Sequence, residues 1–264
     1  MFLGKVLVVL SSASQLELAG DKLLDTGFYL NEFGVPAQDL CNRGYQLVLA
    51  NPQGNRPSLD PSSDTDSFFG NDPELHQRIK AFVQSLPGFE SPQTFQQILA
   101  EGLDSFDGVF IPGGHAPMAD LMNDPHLGQI LTHFHQHGKP TAMICHGPAA
   151  ALSAQADSNG FLINAQAGRE LPVRDWIYSG YRMTVFSNIE ELLAESKMPA
   201  KLKLHLETAL KQAGAKMDVA WIPGSSKVVV DRELITGQNP ASDQELSEKF
   251  LAMLVERAVV PVHP

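Results

Sequence analysis

The stretch AMICHGPAAAL, residues 142–152, places small apolar residues on both sides of Cys-His-Gly-Pro. Residues 140–145, PTAMIC, read as a buried strand, and the alanines after Pro148 read as a helix beginning at Gly147 or Pro148. Cys145 and His146 then occupy a sharp strand-to-helix turn at the carboxyl end of a sheet, where such a turn presents a nucleophile. The first helical amides carry partial positive charge, so the turn is expected to expose the sulfur and favour its thiolate. The competing reading makes Cys145 a buried apolar filler.

Working outward, KVLVVLSS (5–12), YQLVLANP (45–52) and FDGVFIPGG (106–114) are further strand candidates, separated by helix-like stretches. That alternation predicts an α/β fold with a mostly parallel central sheet and helices on both faces. A helix is expected from about Pro36 to a Gly44 cap, with Cys41 as core filler. Residues 53–105 read as an excursion holding a polar loop and two helices, a small cap-like insertion within a single domain spanning 1–264. Further on, RMTVFS (182–187) reads as a strand and Asn188 as a helix cap. Residues 201–214 read as a helix, KVVVDRELITG (227–237) as two strands turning at Asp231 and Arg232, and Ser242 with Glu245 as a capping box.

A formal net charge of −11 gives no basic stripe, which argues against a nucleic-acid partner and against docking on anionic lipid. The apolar run VLVVL (6–10) is too short for a signal-peptide core, and no run is long enough to span a membrane. Two cysteines make no disulfide framework, so a reducing cytoplasm is the expected setting.

Gly113 and Gly114 in FIPGGHAP (110–117) end another strand, and paired glycines let backbone amides approach a substrate as an oxyanion hole requires. His115 follows them, and taken alone it reads as a loop histidine. In THFHQHGK (132–139), His133 and His137 share a helix face, but no third ligand stands nearby, so a solvated helix end is the simpler reading.

Together FDGVFIPGGHAPMADLMNDPHL, GKPTAMICHGPAAAL, MTVFSNIEELL and ITGQNPAS resemble the ThiJ/PfpI superfamily, which has the flavodoxin-like fold of class I glutamine amidotransferases. The resemblance runs from residue 5 to about 257 and is nearest to the heat-shock-type glyoxalase III branch, whose members are also described as chaperones and protein deglycases. It implies Cys145 as nucleophile, His146 beside it, and Glu32 in TGFYLNE (26–32) as the carboxyl bonded to the cysteine. It implies Glu191 as the acid orienting His146, with Glu190 one position away as the alternative. Gly114 and the His146 amide, with Gly113 beside them, are the implied oxyanion donors, and His115 lies with them at the substrate. A homodimer is implied too.

Two departures matter. Residues 32–54 contain no histidine where some members bind a metal, so no metal and no cofactor are expected, and Ala116 replaces a frequent glycine. The stretch 169–181 is long, and Trp176, Tyr178 and Tyr181 could cover the pocket or pack locally. The resemblance implies a cofactor-independent glyoxalase III-type enzyme converting methylglyoxal, a small dicarbonyl, to lactate. The alternatives are a cysteine-dependent amidase or peptidase and a non-enzymatic redox-sensing chaperone.

Overall fold

The computed structural model describes residues 2–169 and 175–259; residues 170–174, within the long stretch noted above, lie outside the described residues. In chain order the main-sheet strands are β1 (Gly4–Val9), β2 (Tyr45–Asn51), β3 (Gln93–Thr94), β4 (Gly108–Ile111), β5 (Thr141–Ile144), β6 (Val228–Asp231) and β7 (Leu234–Gly237). The main helices are α1 (Leu30–Arg43), α2 (Pro73–Ser85), α3 (Phe95–Glu101), α4 (Pro125–Gln136), α5 (Ser158–Gln166), α6 (Asn188–Glu195), α7 (Leu206–Ala213) and α8 (Asp243–Val259). The seven strands lie in the order β6-β7-β5-β4-β1-β2-β3, parallel throughout except for the β6–β7 hairpin. This is the expected flavodoxin-like α/β fold.

Alternate strand residues feed two apolar layers, because side chains along a strand point to opposite faces. Val6, Val8, Phe110, Ala142 and Ile144 meet Phe33 and Leu40 of α1 and Phe250 and Leu254 of α8. Leu7, Val9, Val109, Ile111 and Met143 meet Phe95, Ile98, Ile130, Phe134 and Leu210. Burial on both faces explains why these strands read as continuous apolar runs.

Within residues 53–105, β3 extends the sheet edge beside β2, α2 adds Ile79 and Val83 to one layer, and α3 adds Phe95 and Ile98 to the other. The loop ahead of α2 also braces α1: the Leu30 N–H donates to Ser63 Oγ at 3.0 Å, supplying a partner to a helix-start donor.

Several boundaries differ from the sequence reading. Helix α1 starts at Leu30, not near Pro36. Gly34, ahead of that expected start, lies inside the helix as a contact point, since a Cβ there would clash with Ile79 Cγ2. Only Arg182–Met183 of the 182–187 stretch is strand, paired with Lys216–Met217 outside the main sheet. Beyond it, the Thr184 N–H donates to Thr236 Oγ1 and the Phe186 N–H to the Cys145 carbonyl, so ladder bonds give way to specific ones. The cap of α6 is Ser187 rather than Asn188. Helix α7 begins only at Leu206, because Glu195 binds the Leu202 N–H and His205 ahead of it. Ser242 and Glu245 form no box; Ser242 Oγ bonds the Lys227 backbone, and Glu245 bonds Ser226 and Lys249. Residues 147–154 form a 3-10 helix. Trp176, Tyr178 and Tyr181 are buried in the core, Trp176 donating to the Ala151 carbonyl and Tyr181 to Glu233.

Candidate active site

Adjacent parallel strands β4 and β5, in register at Ile111 and Met143, end side by side and bring Gly113–His115 next to Cys145–His146. The chain crosses from one side of β1 to the other between β3 and β4, so this crevice lies at the switch point where open α/β sheets bind ligands. The first turn of α1 closes the third side, its Tyr29 N–H donating to the Gly113 carbonyl at 3.1 Å.

Cys145 has φ +59, a conformation that a side chain rarely adopts, and His146 has φ −91 and ψ 0. Two such residues in succession make the sharp turn, and the Cys145 N–H tethers it to the Gly237 carbonyl at 2.9 Å. The glycines opposite are obligatory. A Cβ on Gly113 would lie 2.6 Å from both Cys145 Cβ and Glu32 Oε2, and one on Gly114, at φ +90, would lie 2.0 Å from the Gly27 carbonyl oxygen.

Cys145 Sγ lies 3.3 Å from His146 Nδ1, and His146 Nε2 lies 2.7 Å from Glu191 Oε2. His115 Nε2 lies 3.0 Å from the other oxygen, Oε1, of the same carboxylate. The two imidazoles face each other at 4.1 Å, and Phe186 packs on His146 at 4.9 Å. Glu32 is fully buried; its Oε2 accepts the Gly113 N–H at 3.1 Å, and its Oε1 has no hydrogen-bond partner among the described residues.

The choice between Glu190 and Glu191 follows from one capping box. Ser187 caps α6, and Glu190 reaches back to its N–H and hydroxyl at 2.9 and 2.7 Å. Glu190 also accepts from the Gly224 N–H, Gln238 and Asn239. It is thereby fully committed, and the next residue, Glu191, is the one turned toward His146.

The electrostatics depart from the sequence expectation. Cys145 is 3% exposed rather than presented to solvent. Burial pushes its thiol well above the usual range, neighbouring Glu32 and Glu191 push it further, and the Gly114 N–H only partly opposes them. Burial likewise raises the Glu32 carboxyl to about 8, offset in part by hydrogen bonds with Cys145 and the Gly113 N–H. Burial and the neighbouring His115 depress His146, against the pull of Glu191. Burial also opposes charge on Glu191, yet the two histidines hold its carboxyl well below the ordinary range. At neutral pH the site therefore rests as a thiol, a protonated Glu32, a neutral His146 donating Nε2–H, and an ionised Glu191.

The sequence reading did not anticipate Phe186 against His146, Tyr29 at Gly113, or the common carboxylate under His115 and His146. Long-range hydrogen bonds and ring packing leave no local pattern. The ligand atoms of His115, His146 and Glu191 also lie within 4.8 Å of one another, a grouping able to hold a metal ion. Tyr29 and Phe186 further line a cavity of about 720 Å³ shared with Phe68, Leu193, Asn239 and Pro240.

A family model described as the DJ-1/PfpI family matches residues 23–161. Glutamine amidotransferase-like class 1 domain-containing protein 1 of Bos taurus is 33% identical over 226 residues, covering 85% of this chain and 90% of that protein. The protein/nucleic acid deglycase HchA of Pseudomonas aeruginosa is 25% identical over 263 residues, covering 96% of this chain and 81% of that protein. The crystal structure of glyoxalase III from Candida albicans shares the fold at TM-score 0.65 and 22% identity, over 95% of this chain and 97% of that one. With the cysteine turn, the paired glycines and the parallel sheet already in place, these likenesses lead to one conclusion: the chain belongs to the DJ-1/PfpI family.

Proposed function

We propose that the protein is a cofactor-independent glyoxalase III-type enzyme that converts a small 2-oxoaldehyde such as methylglyoxal to the 2-hydroxy acid through Cys145. The observation that carries this reading is Glu32, a fully buried carboxyl raised to about 8, whose Oε2 and Cys145 Cβ flank the same face of Gly113. Acyl transfer needs only one acid–base group beside the sulfur, and His146 supplies that. Moving a proton between two carbons uses a second, and Glu32 is that group. The deglycase and glyoxalase relatives support the same direction.

The chemistry follows from the resting protonation states. Cys145 Sγ adds to the aldehyde carbon as its thiol proton passes to His146 Nδ1, whose Nε2–H stays on Glu191. The Glu32 carboxyl proton goes to the aldehyde oxygen, giving a hemithioacetal. Glu32, now ionised, takes the proton from that carbon while His146 returns a proton to the ketone oxygen, forming an enediol. Glu32 then protonates the second carbon and His146 accepts the first hydroxyl proton, leaving a thioester. Water adds to the thioester, its proton going to Glu32, and the departing sulfur recovers its proton from His146. The net reaction is addition of one water to the dicarbonyl, with no redox partner.

Turnover of methylglyoxal without added thiol by wild type, and its loss in Cys145→Ala, test the reading. Equal turnover by both proteins would overturn it. A chaperone reading draws on a different observation, the exposure of Ile189, Leu192 and Leu193 on α6 and of Trp221 and Ile222. Suppression of client aggregation by Cys145→Ala, lost in Leu192→Asp, would support that role. A redox-sensing role is disfavoured by the burial and raised pKa of the Cys145 thiol.

A further inference from the structure

We propose that Asp104, His133 and His137 form a binding site for a divalent first-row transition ion at the C-terminal end of α4. The local sequence offered two histidines and no third ligand. The fold supplies it, because the loop after α3 carries Asp104 to the end of α4. The ligand atoms of the three side chains lie within 4.8 Å of one another. His133 Nε2 stands 3.6 Å from Asp104 Oδ1, too far for a hydrogen bond, and it is buried without a hydrogen-bond partner among the described residues. The Asp104 side chain is almost wholly exposed.

A second observation concerns His137. Its Nδ1 lies 2.8 Å from the His133 carbonyl oxygen, which fixes Nδ1–H as donor and, in the neutral ring, leaves the lone pair on Nε2. A backbone carbonyl on the far nitrogen is the usual arrangement behind a metal-bound imidazole. The two rings stack at 4.1 Å and 27°, which holds the imidazoles side by side at the helix end. Ligand bonds of about 2.0–2.1 Å require the donor atoms to draw together by roughly an ångström, which the exposed Asp104 and His137 can supply.

Two imidazoles and one carboxylate with open positions suit Zn²⁺, and equally Co²⁺, Ni²⁺ or Cu²⁺. The helix C-terminus adds favourable negative potential. Lys139 Nζ and Arg257 Nη1 lie close by and oppose a cation, but both are engaged by carbonyls: Lys139 by Leu103 and Asp104, Arg257 by His137 and Gly138. The ligands precede β4 and β5, whereas the catalytic groups follow those strands. The metal would therefore sit at the opposite end of these strands and tie the α3–β4 loop to α4.

The test is calorimetric titration of Zn²⁺ into chelator-treated full-length protein, comparing wild type with His137→Ala and Asp104→Asn. The unchanged His115–His146–Glu191 group serves as internal reference for binding at the active site. The expected result is one Zn²⁺ equivalent, beyond whatever the unchanged active-site group takes up, that is weakened at least about tenfold in His137→Ala, with Asp104→Asn in between. Added Zn²⁺ should also raise the melting temperature of wild type more than that of His137→Ala. Because both substituted side chains are exposed, folding is preserved and checked by circular dichroism. Superimposable isotherms for wild type and His137→Ala, or no Zn²⁺ uptake by wild type, would overturn the proposal.

Discussion

His115 Nε2 sits 3.0 Å from Glu191 Oε1, on the carboxylate whose other oxygen holds His146 at 2.7 Å. Glu191 thus orients two imidazoles, and only one of them faces the sulfur. Glu191→Gln can no longer fix the Nε2–H tautomer of His146 or stabilise its cation. Its kcat should fall by about 10²–10⁴ with little change in KM. His115→Asn, which keeps a donor toward Glu191, should lose less than tenfold. A larger loss for His115→Asn than for Glu191→Gln in steady-state assays would show that the roles are reversed.

Glu190 predicts a stability effect where Glu191 predicts a catalytic one. Its carboxyl accepts from Ser187, Gly224, Gln238 and Asn239 in a buried setting. Glu190→Ala strands those donors, and the expected cost is about 3–5 kcal/mol, read as a shifted denaturation midpoint. An unaltered midpoint would mean that solvent replaces the carboxyl easily.

Glu32 ties stability to pH. Its folded value of about 8 lies above the ordinary carboxyl value of 4.5, so between those values the folded state holds a proton that the unfolded state has released. Stability from this group is whole below about pH 4.5 and is lost as pH rises to 8, by an upper bound of roughly 5 kcal/mol. Glu32→Gln has no proton to lose, so its stability should gain on wild type across that window. Parallel pH–stability curves for the two proteins would contradict the assignment.

Thiol chemistry offers a direct probe. Burial holds Cys145 above the ordinary thiol range, so iodoacetamide at pH 7 should label it more slowly than a free cysteine, with the rate climbing above pH 9. The experiment uses Cys41→Ser to remove the half-buried second thiol. Rapid labelling at pH 6 would reveal a resting thiolate and revive the sequence expectation.

The glycines should tolerate no side chain. Gly113→Ala sets a methyl 2.6 Å from Cys145 Cβ, and Gly114→Ala adds a strained φ of +90 to a clash with the Gly27 carbonyl. Both are expected to abolish turnover, and Gly114→Ala to lower the melting temperature as well. An active Gly114→Ala enzyme would imply that the Gly27 segment moves aside.

The sequence by itself determined the sheet and the position of the turn. Val6 to Leu10, Val109 to Ile111 and Ala142 to Ile144 are apolar on both faces, and small residues flank Cys145, so pattern and composition carried that information locally. Its local boundaries failed at Gly34, Asn188 and Ser242, where a neighbouring helix or a distant carbonyl decides what the residue does. Only the tertiary structure decided that Glu191 rather than Glu190 meets His146, that Cys145 rests as a buried thiol, and that Asp104 reaches His133. Hydrogen-bond partners and desolvation are set by what chain folding brings alongside, often from many residues away, and periodicity along the chain contains neither.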